Sequence, residues 1–198
     1  MTRQLREIKG SGLAPFTTLG EWNRERPAGR RIAVTFDDAY ESLFTNGLPV
    51  LEKLGVPAIT YVVASLIGGS NEWDHGTQAR HEHLMDRSQL AEWLRAGQEI
   101  GSHGLTHRDL TTLPPDEARR EIVESKQRLE ERFGQPIRHF CYPYGAWNDA
   151  VRAMVEEAGY ATATSTISGI NSATTDAFTI RRILARHQRP YLAALTRR

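Results

Sequence analysis

The sequence predicts an α/β fold built on a parallel sheet, and three observations carry that prediction. From Arg31 onward, short apolar runs rich in β-branched residues alternate with stretches of helical periodicity. The runs are apolar throughout, as strands covered on both faces are. The length, 198 residues, suits one domain with a sizeable core.

Taken in order, residues 1–30 have weak periodicity and several Gly and Pro. They read as a peripheral N-terminal arm with a short helix near Leu5, ahead of a main domain spanning 31–198. Ile32 to Phe36 is the first strand. Ala39 to Leu54 is helical material interrupted by Asn46-Gly47 and Pro49, and Ala58 to Val63 is the second strand. Gly68 to Asp86 is a long polar insertion, expected as loop. Ser88 is placed as the N-cap of a helix carrying Leu90, Trp93 and Leu94, stopped at Gly97. Glu99 to Ser102 is a short strand. Pro114-Pro115-Asp116-Glu117 opens a long helix with an apolar stripe of Ala118, Ile122, Leu129 and Phe133, ended by Gly134. Ile137 to Tyr142 is a strand, and Asn148 caps a helix running to Gly159. Tyr160 to Thr164 and Phe178 to Ala185 are the last strand candidates.

Composition narrows the function classes. Hydrophobic residues make up 39% and charged residues 25%, an ordinary globular balance, and a net charge of +1 gives no global field toward nucleic acid or membrane. The stretch from Arg181 to Arg198 holds six arginines and no acid, and reads as a solvated basic end. One cysteine, Cys141, excludes an intrachain disulfide. Met1 to Arg30 lacks the apolar core of a signal peptide, and no later run is long enough to span a bilayer. The expected address is the cytoplasm, or the periplasm or exterior if an export segment was removed.

The chemistry concentrates where strands end. Asp37 and Asp38 close the first strand, and two adjacent carboxylates are costly unless a cation compensates them. His103 and His107 follow the third strand four residues apart, the spacing that puts two imidazoles on one face of a helical turn. Two histidines and one carboxylate make a three-point metal site with open positions, a catalytic rather than a structural pattern. Either motif alone is weak: Asp-Asp is commonly an N-cap pair, and His-x-x-x-His commonly a surface pair. Both at strand ends of one βα fold favour the metal. His75, His81 and His83 crowd the polar insertion with no ligand spacing, and read as a solvated loop. Trp73 and Trp147 are candidates for stacking on sugar rings. Core packing competes for Trp147, and is the preferred reading for Trp93.

Three segments, Thr35-Phe36-Asp37-Asp38-Ala39, Gly101-Ser102-His103-Gly104-Leu105-Thr106-His107 and Phe140-Cys141-Tyr142-Pro143-Tyr144-Gly145, together resemble the polysaccharide deacetylases. These are the NodB-homology enzymes of carbohydrate esterase family 4, and the resemblance spans Arg31 to Ala185. It implies a distorted (β/α) barrel with about seven strands and removal of acetyl groups from N-acetylated or O-acetylated carbohydrate. By the same resemblance Asp38, His103 and His107 hold a divalent metal, and Asp37 takes a proton from water at that metal. The backbone N–H of Tyr144 stabilises the oxyanion, and Tyr142, Pro143, Trp147 and Trp73 are the substrate contacts. Zn2+ suits the ligand set, with Co2+, Ni2+ or Fe2+ able to replace it. The expected partner is an acetylated oligo- or polysaccharide.

Two departures stand out. Many members carry an arginine in the third motif, paired with the catalytic aspartate, where this chain has Cys141. Arg181 or Arg182, at the last strand, is the expected replacement, with Arg182 preferred because enzymes with the Tyr-Pro-Tyr-Gly version tend to carry an arginine there. The general acid of the family falls on no well-spaced residue, and His187 is the one late histidine. Two other readings stay open: an amidohydrolase of ureides or cyclic imides on the same fold, and a non-catalytic glycan-binding relative.

Overall fold

The computed structural model describes residues 2–12, 14–27, 29–74 and 80–185. Six parallel strands form one sheet in the order β1 (Val34–Phe36), β2 (Ala58–Val62), β3 (Glu99–Ser102), β4 (His139–Cys141), β5 (Thr162–Ser168) and β6 (Ile180–Arg182). Strand order equals chain order. Crossovers of a single hand then put the connections on one side, and the sheet curls toward a barrel. The fold is a distorted half-barrel, with six strands among the described residues where about seven are expected.

The two faces of the sheet read directly from β2, whose five residues are all buried. Ile59 and Tyr61 point into the barrel interior with Leu19, Cys141 and Ile180. Ala58 and Val62 point outward into the larger core shared with the helices. That outer layer contains α3 (Leu48–Leu54), α4 (Arg87–Arg95), α5 (Pro115–Phe133) and α6 (Asp149–Glu157). In α5, Ala118, Ile122 and Leu129 are buried as the stripe predicts, and Gly134 ends the helix in the left-handed conformation. Trp93 of α4 is fully buried and donates its indole N–H to the Glu99 carbonyl at 2.8 Å, as core packing requires.

Three expectations change. The described residues of the segment 1–30, expected at the periphery, pack against the body. Helix α1 (Thr2–Ser11) buries Leu5 in the main core, and α2 (Leu19–Glu25) buries Leu19 against the barrel interior. Thr18 and Glu21 close a capping box on α2, a start signal that weak apolar periodicity concealed. The N-cap of α4 is Asp86, not Ser88. Asp86 accepts from the Gln89 N–H at 2.8 Å, while the Gln89 side chain accepts from the Asp86 N–H at 2.9 Å. Ser88 only supports that carboxylate, at 2.7 Å. Finally, His103 and His107 lie in a loop between β3 and a short 3-10 turn at Leu110–Thr112, not on a helix. Gly104 and His107 both take positive φ, 79° and 63°, which no continuous helix allows.

Candidate metal centre

Strand β1 ends at Phe36, and the backbone turns left-handed at Asp38 (φ 70°) and Ala39 (φ 57°). That turn separates the two carboxylates. Asp38 Oδ1 lies 3.4 Å from Nε2 of His103 and 3.4 Å from Nε2 of His107. Asp37 turns the other way, to Arg182 on β6. The guanidinium donates to both carboxylate oxygens, Nη1 to Oδ1 at 2.6 Å and Nη2 to Oδ2 at 2.8 Å, a bidentate pair. Arg182 also donates to the Ser165 carbonyl at 2.8 Å and to Thr35 Oγ1 at 3.3 Å, so its fork is held on several sides. The small Cys141 makes room for this arrangement. Its Sγ lies 3.6 Å from Asp37 Oδ1 and 3.4 Å from Arg182 Nη2.

The residues fit a metal. Ligand atoms of Asp38, His103 and His107 all lie within 4.8 Å of one another, and Asp38 Oδ1 is buried with no hydrogen-bond partner among the described residues. A 3.4 Å separation is too long for a strong hydrogen bond. It is the edge of a tetrahedron with metal–ligand bonds of about 2.1 Å. Burial would lower the pKa of His103, but Cys141, Asp37 and Asp38 outweigh it and hold it at about 10. Burial and then His103 drive His107 down to about 3. A divalent metal held by Asp38, His103 and His107 would compete with protons for these ring nitrogens. Asp37 is tuned oppositely to Asp38. Burial alone would raise it, but Arg182 and His103 carry it below the ordinary value, while burial and Asp37 raise Asp38.

Sequence reasoning missed Glu121, which shapes the histidine loop from below. This buried carboxylate of α5 accepts from the N–H groups of Leu105 (3.0 Å) and Thr106 (2.8 Å) and from the Thr106 hydroxyl (2.5 Å). Ser125, one turn further along, accepts from Ser102 Oγ at 2.8 Å, and Ser102 Oγ accepts from the Gly104 N–H at 3.2 Å. The signal was present: Glu121 and Ser125 are polar residues on the apolar stripe of α5.

The remaining expected residues divide. Tyr144 stands at the rim, 55% exposed, with φ 58° and its ring 4.7 Å from the His107 ring. Gly145 beside it has φ 71°, and any Cβ there would lie 2.1 Å from Thr166 Oγ1, so glycine is required. Tyr142 and Pro143 are corrected as side-chain contacts to substrate because both are buried. Tyr142 donates its hydroxyl to the Phe178 carbonyl at 3.0 Å. Trp147 is half-buried against the main core, 6.3 Å from the Tyr142 ring in a stacked pose, so packing claims much of its surface. Trp73 stacks on His107 at 4.2 Å. His187 and His75 lie outside the described residues, and among those described neither His81 nor His83 joins a metal-type cluster.

A parallel half-barrel with a carboxylate and two imidazoles gathered at its strand ends defines a class: NodB-like folds with a site suited to a divalent metal. The chain belongs to the polysaccharide deacetylase family, whose model matches residues 24–163. It is 30% identical over 134 residues to the chitooligosaccharide deacetylase of a Bradyrhizobium strain, covering 67% of this chain and 54% of that one. It is 28% identical over 158 residues to the poly-beta-1,6-N-acetyl-D-glucosamine N-deacetylase of Staphylococcus epidermidis, covering 71% and 51%. The chain spans about half the length of these curated relatives. Among solved structures it resembles the Streptococcus pyogenes deacetylase PplD, determined with acetate. The TM-score is 0.83 at 24% identity, over 99% of this chain and 85% of that one. Among the described residues, no helix is long and apolar enough to cross a membrane.

Proposed function

We propose that this chain is a metal-dependent hydrolase that removes acetyl groups from N-acetylated amino sugars in an oligo- or polysaccharide. One observation carries the reading: Asp38, His103 and His107 converge while the neighbouring Asp37 is paired with Arg182 through both carboxylate oxygens. Those three residues would hold a divalent ion, zinc first among candidates, which would supply Lewis-acid chemistry toward the acetyl carbonyl and a bound water.

Asp37 accepts the proton of the attacking water. Its lowered pKa keeps it anionic at neutral pH, so the base is always available. The same lowering makes it a weak base, effective only on acidified water. Arg182 fixes its orientation and its charge. The Tyr144 backbone N–H serves the developing oxyanion, with the left-handed Tyr144-Gly145 turn presenting that peptide at the rim. Attack breaks the C–N bond, releasing acetate and a free amine that takes up one proton. The relatives named for N-acetylglucosamine polymers and chitooligosaccharides support the N-acetyl substrate class.

The test is acetate release from chitin oligomers and from acetylated xylan, with and without a chelator. Release from the chitin oligomers, abolished by chelation and restored by Zn2+ or Co2+, is expected. No release from any acetylated glycan by demonstrably metal-loaded protein contradicts the reading and moves it to small amides on the same fold.

A further inference from the structure

The two metal-site histidines differ in what steadies them. His103 Nδ1 lies 2.8 Å from the Cys141 carbonyl, which fixes the ring and leaves Nε2 for the site. His107 also turns Nε2 to the site, but among the described residues no other residue gives its buried Nδ1 a hydrogen-bond partner, and only its own backbone is near. A ligating imidazole is ordinarily oriented by such a partner, and removing one costs about 10–100-fold in metal affinity. His107 therefore needs another source of orientation.

Its neighbours are aromatic. The Trp73 ring lies 4.2 Å away with an interplanar angle of 29°, a stacked contact over the face of the imidazole. Tyr144 meets the same ring edge-on at 4.7 Å and 66°. His103 closes a third side, also edge-on, at 4.9 Å. Among these neighbours Trp73 alone lies flat against His107, so it sets the plane of the ring.

Trp73 is also placed with care. It sits in a one-turn 3-10 helix, Glu72–Asp74, in the polar insertion. Asn71, buried at its start, ties the two limbs of that insertion together. Its amide donates to Asp74 Oδ2 and to the Arg80 carbonyl, both at 2.9 Å, and accepts from the Glu82 N–H at 2.7 Å. An antiparallel bridge between Ser70 and His83 adds to the clasp. A surface loop built only to be polar needs none of this.

We propose that Trp73 is a positioning residue of the metal centre: its indole face does for His107 what the Cys141 carbonyl does for His103. The stack also strengthens when metal is bound, because ligation makes the imidazole more cationic and a cation is attracted to an indole face. Metal occupancy and docking of the Trp73 turn are then coupled. This inference rests on the reading that Asp38, His103 and His107 hold a metal.

The test measures Zn2+ affinity of the full chain by competition with a chromogenic chelator, with no glycan present. Trp73→Ala and Trp73→Leu are expected to weaken Zn2+ binding by about tenfold or more, whereas Trp73→Phe, which keeps a flat ring, stays within about threefold of wild type. Should Trp73→Ala not fold, the Leu and Phe variants decide, and equal affinities in that pair overturn the proposal. Unchanged Zn2+ affinity with a raised KM on chitin oligomers also overturns it and makes Trp73 a sugar platform. A wild-type chain that binds no Zn2+ overturns the metal reading beneath it, a result that needs no variant to recognise.

Discussion

Asp37→Asn is expected to lower kcat on chitin oligomers by about 10²–10⁴-fold while leaving Zn2+ affinity within about threefold of wild type. The substitution keeps the shape and removes the proton acceptor. Metal binding is spared because both Asp37 oxygens accept from Arg182, whereas Asp38 Oδ1 is the carboxylate oxygen that lies 3.4 Å from both histidines. Asp38→Asn is the contrast, since it removes charge from an oxygen shared by both histidines. Titration of each variant with Zn2+, followed by turnover at saturating metal, separates the two roles. A Zn2+ affinity lost equally in both variants would mean that the aspartates act as one ligand pair.

Arg182→Ala is expected to be costly in both stability and turnover. Asp37 is half-buried, and its negative charge is compensated by a bidentate guanidinium. Removing one partner of a buried pair costs about 3–5 kcal/mol, because the other charge is left unpaired. The lower half of that range fits here, since about a third of the Asp37 side chain reaches solvent. The sign with pH follows from the lowered folded-state pKa of Asp37. The pair contributes fully above the unfolded value and is lost as pH falls through the folded value, so wild type and variant converge in acid. Chemical denaturation at neutral pH and in acid measures this difference. Turnover of Arg182→Ala is expected to fall because Asp37 loses both its orientation and the cation that keeps it ionised. Near-wild-type turnover would sink the idea that Arg182 replaces the arginine absent at Cys141.

Much of this was legible in the sequence because it is local. The buried strand at Ala58 to Val62, the α5 stripe and the Asn148 cap are set by periodicity and side-chain type within a few residues. Asp38, His103 and His107 were legible because they follow the ends of β1 and β3, and Arg182 because a charge had to be replaced. What was not legible is tertiary. The four-residue histidine spacing suits a helix equally well, and only Gly104 with the Glu121 carboxylate beneath makes it a loop. Tyr142 looked like a rim residue from its motif, yet the sheet turns its ring into the core beside Phe140. Nothing near Trp73 in sequence announces that it lies on His107.

The most direct test of the central claim, that the two aspartates divide their labour, is to locate the metal. Anomalous diffraction from crystals grown with Co2+ or Zn2+ should give one peak, about 2.1 Å from Asp38, His103 and His107. Asp37 should remain paired with Arg182. Asp37, His103 and Cys141 form the other metal-type cluster among the described residues. A peak there, with Asp38 free, would contradict the account.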